Sequence, residues 1–99
     1  MLTLTDRAAE AVHVLTLQAD LPPASAGLRI VSRSAARNSG QRELTLALTP
    51  APMTGDEIVE QGTARVFVEA QTIETLDHQE LDATTGADGA VRFLIAPQS

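Results

Sequence analysis

The 99-residue chain contains no cysteine, no tryptophan, no tyrosine and no lysine, and its only aromatics are Phe67 and Phe93. Without cysteine it can form no disulfide, run no thiol redox chemistry and offer no thiolate to a metal. Without Trp or Tyr the core is built from aliphatic side chains, and no aromatic platform is available for stacking nucleic-acid bases. The longest aliphatic or aromatic run is Phe93-Leu94-Ile95-Ala96, far short of the ~20 residues a membrane-spanning helix needs. The opening Met1-Leu2-Thr3-Leu4 lacks the basic and long apolar regions of a secretory signal, so the cytoplasm is the expected compartment.

What is present fits one domain, residues 1–99, since 43% of residues are hydrophobic and a chain of this length fills a single modest core. The net charge of −6 argues against nucleic acid and anionic membrane surfaces as partners. That charge is uneven: residues 1–42 hold five Arg against three acids, and residues 43–99 hold two Arg against ten acids. A solvated acidic face accounts for the second half. All basic residues being Arg, with Ala abundant, suits a GC-rich bacterial genome.

Along the chain the apolar period is first helical. Thr5 is placed to cap a helix running to about Ala19, Asp6 puts negative charge in its first turn, and Ala8, Val12, Leu15 and Ala19 form the expected buried stripe. Leu21-Pro22-Pro23 ends it. The period then becomes two. Leu28 to Val31 and Glu43 to Thr49 read as strands, the latter with Leu44, Leu46 and Leu48 on one face. Ile58-Val59 and Arg65 to Glu69 read as a hairpin around Gln61-Gly62-Thr63. Gln71 to Leu76 suits one helical turn. Leu81 to Thr85 and Val91 to Ile95 form a second hairpin, turned at Gly86-Ala87-Asp88-Gly89. The fold class is therefore α+β: an N-terminal helix followed by about six short, mostly antiparallel strands.

Taken in order, Leu2-Thr3-Leu4-Thr5 with Ala8-Ala9, Gly27-Leu28-Arg29-Ile30, Asp56-Glu57-Ile58-Val59, Gly62 before Val66-Phe67-Val68-Glu69, and Leu76-Asp77 with Leu81-Asp82 resemble the HesB-like family, the A-type iron–sulfur cluster carriers. The resemblance covers roughly residues 2–96. It implies a HesB-like β-rich domain and a role near iron–sulfur cluster assembly. It also implies three cluster-binding cysteines, one in a loop after the first strand and two in a C-terminal motif. Ungapped alignment from Leu28 puts Arg37 at the loop position, within Ser34-Ala35-Ala36-Arg37-Asn38-Ser39-Gly40, and Ser99 precedes the C-terminal motif. His78 stands where the family has a turn glycine, and Ala83 where it has an aromatic. Clusters are held mainly by thiolates, and a guanidinium has no lone pair to offer. No iron–sulfur cluster or other cofactor is therefore expected: the cluster site is degenerate.

Three other constellations remain. The loop with Arg33, Ser34, Arg37, Asn38, Gly40 and Arg42 gathers guanidinium groups and small residues that suit an anion or a partner's carboxylate; a bare surface loop is the plainer explanation. His78 with Glu80 and Asp82 is an alternative iron or zinc site, although no recognised ligand spacing is present; an exposed acidic turn is the plainer explanation. His13, three residues after Glu10, reads as part of a solvent-facing helix pair. No nucleophile motif or phosphate loop occurs, so the chain is read as non-enzymatic. The expected role is an accessory or interaction module, its partner another protein of the iron–sulfur assembly pathway or a second copy of the chain.

Overall fold

A computed structural model of the chain describes residues 1–22, 24–34 and 42–98, with residues 33, 34, 42 and 43 described by backbone alone. The elements are β1 (Thr3–Leu4), α1 (Asp6–Gln18), β2 (Gly27–Ser34), β3 (Arg42–Thr49), β4 (Glu57–Gln61), β5 (Ala64–Val68), β6 (Gln79–Thr85) and β7 (Val91–Pro97). They form a four-stranded sheet in the order β3-β2-β5-β4 and a three-stranded sheet in the order β1-β6-β7. The α+β class expected from the sequence is what the chain adopts. The three hairpin pairs are antiparallel, while β1–β6 and β2–β5 are parallel.

Helix α1 starts where its cap predicts. The Thr5 hydroxyl accepts the Ala8 N–H at 3.1 Å and donates to Asp82 Oδ1 at 2.7 Å, so one side chain caps the helix and ties it to β6. The buried stripe differs from the expected one. Ala8, Val12 and Thr16 are buried, whereas Leu15 is half-buried and Ala19 exposed. Thr16 can be buried because its hydroxyl donates to the Val12 carbonyl at 2.7 Å, leaving its methyl to pack. The stripe thus follows successive i+4 steps. Asp20, at φ 57°, then turns the chain out of the helix.

The α1 stripe packs on β5 and β6. With it, Leu2, Leu4, Leu28, Ile30, Val66, Val68, Leu76 and Leu81 make the aliphatic core. β5 is covered on both faces: Val66 and Val68 face this core, and Phe67, fully buried, lies on the other side of the sheet. Gly27 makes room for that ring. A Cβ there would sit 2.6 Å from the Arg65 carbonyl oxygen and 2.9 Å from Phe67 Cε2.

Segment 71–78 is a run of turns. It contains two helix-type bonds, Ile73 N–H to Glu69 O at 3.1 Å and Leu76 N–H to Thr72 O at 3.1 Å, close to the single turn expected.

Candidate functional site

The β2–β3 hairpin builds the position where the resemblance places the cluster loop. Its register is unbroken from Gly27↔Thr49 to Ser34↔Arg42, with Arg33 opposite Glu43. Strand geometry thus brings Ser34 and Arg42 to one end of the sheet, flanking the intervening residues in sequence. Arg37, Asn38 and Gly40 lie outside the described residues, as do the side chains of Arg33, Ser34 and Arg42.

Two anchors fix β2, one at Ser32 near that end and one at Arg29 toward the other. The first is hydroxyl-based. The β2–β5 ladder ends at Ile30↔Val68, and beyond it the Ser32 N–H is taken by the Thr72 hydroxyl at 2.9 Å, which donates to Ser32 Oγ at 3.1 Å. Both residues are buried. Thr72 therefore does for Ser32 what another strand residue would otherwise do.

The second anchor is ionic. Arg29 Nε and Nη2 donate to the two carboxylate oxygens of Asp56 at 3.0 and 3.1 Å, and the Met53 N–H donates to the same carboxylate at 3.0 Å. Glu69 lies 3.8 Å from Arg29, whose side chain is 19% exposed against 1% for Asp56. The hydrogen bond from Arg29 holds the Asp56 carboxyl below its ordinary range, helped by the Met53 N–H and against the cost of burial. The same bond pushes Arg29 up.

His78, Glu80 and Asp82 are distributed differently. His78 is 85% exposed beside Asp77 and sits at φ 62°, a left-handed conformation that favours glycine. The residue standing at the family's glycine position thus keeps the glycine-like backbone. Asp77 also binds the Met1 amino group, and that hydrogen bond lowers its carboxyl pKa. Glu80 and Asp82 share one face of β6, as alternation predicts, opposite Ala96 and Leu94. Asp82 is committed: it accepts from the Thr5 hydroxyl, the Ala83 N–H and Arg7, and these bonds, Thr5 first, hold its carboxyl low. Among the described residues no group of three His, Cys, Asp or Glu side chains is placed to hold a metal ion. The donor set also does not fit an iron–sulfur cluster, since the chain has no thiolate.

His13 is not part of a solvent-facing pair with Glu10. It is half-buried, and its Nδ1 lies 2.9 Å from the Thr63 hydroxyl in the β4–β5 turn. The pairing is with a turn fifty residues away, which helical spacing does not reveal.

One feature escaped the sequence reading. A groove of about 760 Å³ opens between α1 and the β6–β7 hairpin, lined by Ala11, Val14 and Leu15 on the helix and by Ala83, Thr85 and Val91 on the strands. Ala83, small and buried at this position, leaves the groove open where the resemblance expects an aromatic. The available signal was Val14, an apolar residue off the α1 stripe and exposed.

Against known proteins, no family model matches the chain, and no curated protein does. Solved structures do match. SufA of Escherichia coli, described as involved in biosynthesis of iron–sulfur clusters, is 23% identical with a TM-score of 0.77, over 97% of this chain and 84% of its own. IscA solved with a [2Fe-2S] cluster is 22% identical with a TM-score of 0.78, over 98% of this chain and 85% of its own. A protein from Aquifex aeolicus, solved in solution by NMR, is 20% identical with a TM-score of 0.65, over 96% of this chain and 89% of its own. The chain has the HesB/IscA-like fold of these structures, and it has no cysteine.

Proposed function

We propose that this chain is a non-catalytic module that keeps the carrier scaffold and acts by protein contact in iron–sulfur cluster assembly, with no cluster of its own as cargo. The observation that carries the reading is the conjunction of a carrier-like fold over nearly the whole chain with a sequence that has no cysteine at all. The contact surface in this reading is the end of the β2–β3 hairpin, with Arg33, Ser34, Arg37, Asn38, Gly40 and Arg42. Planar guanidinium groups there suit carboxylates of a partner. The partner in this reading is a cysteine-bearing protein of the assembly pathway, which supplies the thiolates this chain lacks, and the compartment is the cytoplasm.

The test is affinity purification of the full chain tagged and expressed at its natural level. Recovery of a stoichiometric iron–sulfur assembly protein, lost in an Arg37→Glu/Arg42→Glu variant that still folds, supports the reading. Free chain alone, or a partner indifferent to both substitutions, counts against it.

A further inference from the structure

Helix α1 carries two rows of small and apolar side chains, and the core uses one of them. Ala8, Val12 and Thr16 are buried. Ala11, Val14 and Leu15 form a second row, at the spacing that sets residues side by side on a helix. This row faces the groove against the β6–β7 hairpin. Ala11 and Leu15 are half-buried, and Val14 is 39% exposed.

The groove follows from where the helix lies and from which side chains meet it. α1 packs on β6 and β5, so the inward row of β7 stays half-exposed, with Val91 on the groove wall. Ala11 from the helix and Ala83 from β6 are too short to fill the space between the two walls. The result is a slot of about 760 Å³ walled mainly by methyl groups, within the roughly 300–1,000 Å³ of small-ligand sites. Arg7 and Gln18 lie at its two ends along α1. The helical rise of ~1.5 Å per residue between them makes it about 16 Å long.

Its charge is one-sided. Two of the lining side chains are ionisable, Arg7 and Glu10. Arg7 donates to Asp82 at 2.6 Å, so its charge is matched. Glu10 is exposed and, among the described residues, has no ion-pair partner. The last turn of α1 contains no basic residue, which leaves the negative end of the helix dipole beside Gln18 unopposed. With a net charge of −6 on the chain, the field at this groove attracts cations and repels anions.

We propose that the groove is a binding site for a small organic cation with a flat aromatic body, of the arylalkylamine class. The ring lies in the slot between Ala11 and Val14 on one wall and Ala83 and Val91 on the other. The ammonium stands at the rim against Glu10, and Thr85 offers a hydroxyl from the strand wall. A planar ring suits the slot because it brings a large apolar area with few rotatable bonds to freeze. An anion of the same shape meets Glu10 instead, with the charge of Arg7 already taken by Asp82. The inference does not depend on the proposed role in cluster assembly.

Because the chain has no Trp or Tyr, an indole probe can be followed by its own fluorescence. Tryptamine titrated with the full chain is expected to show a saturable rise in anisotropy. It should bind at least about threefold more tightly than indole-3-propionate at physiological salt, the size of effect one exposed charge supplies. Glu10→Gln is expected to remove that preference while both probes still bind. Val14→Arg, at an exposed helix position, is expected to abolish tryptamine binding with far-UV circular dichroism unchanged, and Ala83→Phe to abolish it by filling the slot. Leu17→Ser changes an exposed apolar residue of α1 beside a different recess and is expected to leave binding as it is. No saturable binding of tryptamine, tighter binding of indole-3-propionate, or binding that survives Val14→Arg overturns the proposal. An equal loss in Leu17→Ser overturns it as well.

Discussion

Replacing Asp56 by Ala removes the carboxylate that binds both donating nitrogens of Arg29 and the Met53 N–H. Breaking a buried ion pair by deleting one partner costs roughly 3–5 kcal/mol when the remaining charge is left stranded. Here Arg29 keeps 19% exposure and Glu69 at 3.8 Å, so the expected loss is about 2–3 kcal/mol, below that range. For a domain of this size that corresponds to a fall in Tm of roughly 10–20 °C. The assay is urea unfolding followed by far-UV circular dichroism, since the chain has no Trp or Tyr to report by fluorescence.

The pH dependence is set by the depressed Asp56 carboxyl. A group whose folded pKa lies below its unfolded value contributes fully above the unfolded value, about 4 for Asp. That contribution is lost as pH falls through the lower folded value. The gap between native protein and Asp56→Ala should therefore hold steady from pH 7 down to about pH 4 and shrink below it. A gap under about 0.5 kcal/mol at neutral pH, a size typical of an exposed surface pair, would refute the anchoring role. So would a gap unchanged in strong acid.

Two further substitutions probe the scaffold around the candidate site. Thr72→Val keeps shape but removes the acceptor of the Ser32 N–H; a loss of about 1–3 kcal/mol is expected in the same urea assay, and a neutral result would mean the hydroxyl is replaceable. His78→Gly relieves a left-handed backbone at φ 62° and should stabilise by about 1 kcal/mol, read as a higher urea midpoint; a loss of stability would show that the imidazole makes a contact worth more than the strain.

The elements that announced themselves were those with local chemistry. Thr5 as cap, the Leu44-Leu46-Leu48 alternation and the glycine-marked hairpins each encode structure within a few residues, and the resemblance to A-type carriers joined them in one order. Parallel pairing is not local. The two-residue β1 becomes a strand only because β6 lies beside it, and β2 meets β5 across more than thirty residues, so no turn signal marks either pair. Thr16 replaced Leu15 in the buried stripe because a helix carbonyl satisfies its hydroxyl, a compensation that hydropathy does not count. His13 found Thr63 for the same long-range reason. At the candidate site, the absence of thiolate was legible from composition and its location from the resemblance, while the anchors of β2, Thr72 on Ser32 near that site and Asp56 on Arg29 toward the other end of the strand, required the tertiary fold.

Anaerobic reconstitution with iron and sulfide, followed by desalting and visible absorption, tests most directly whether this carrier-like scaffold has parted from cluster chemistry. Lacking Trp and Tyr, the protein contributes almost nothing of its own in the near ultraviolet, so a bound cluster would dominate the spectrum. The account predicts a colourless protein fraction with iron and sulfide no higher than in a mock-treated control. A stable visible band with stoichiometric iron and sulfide would contradict it.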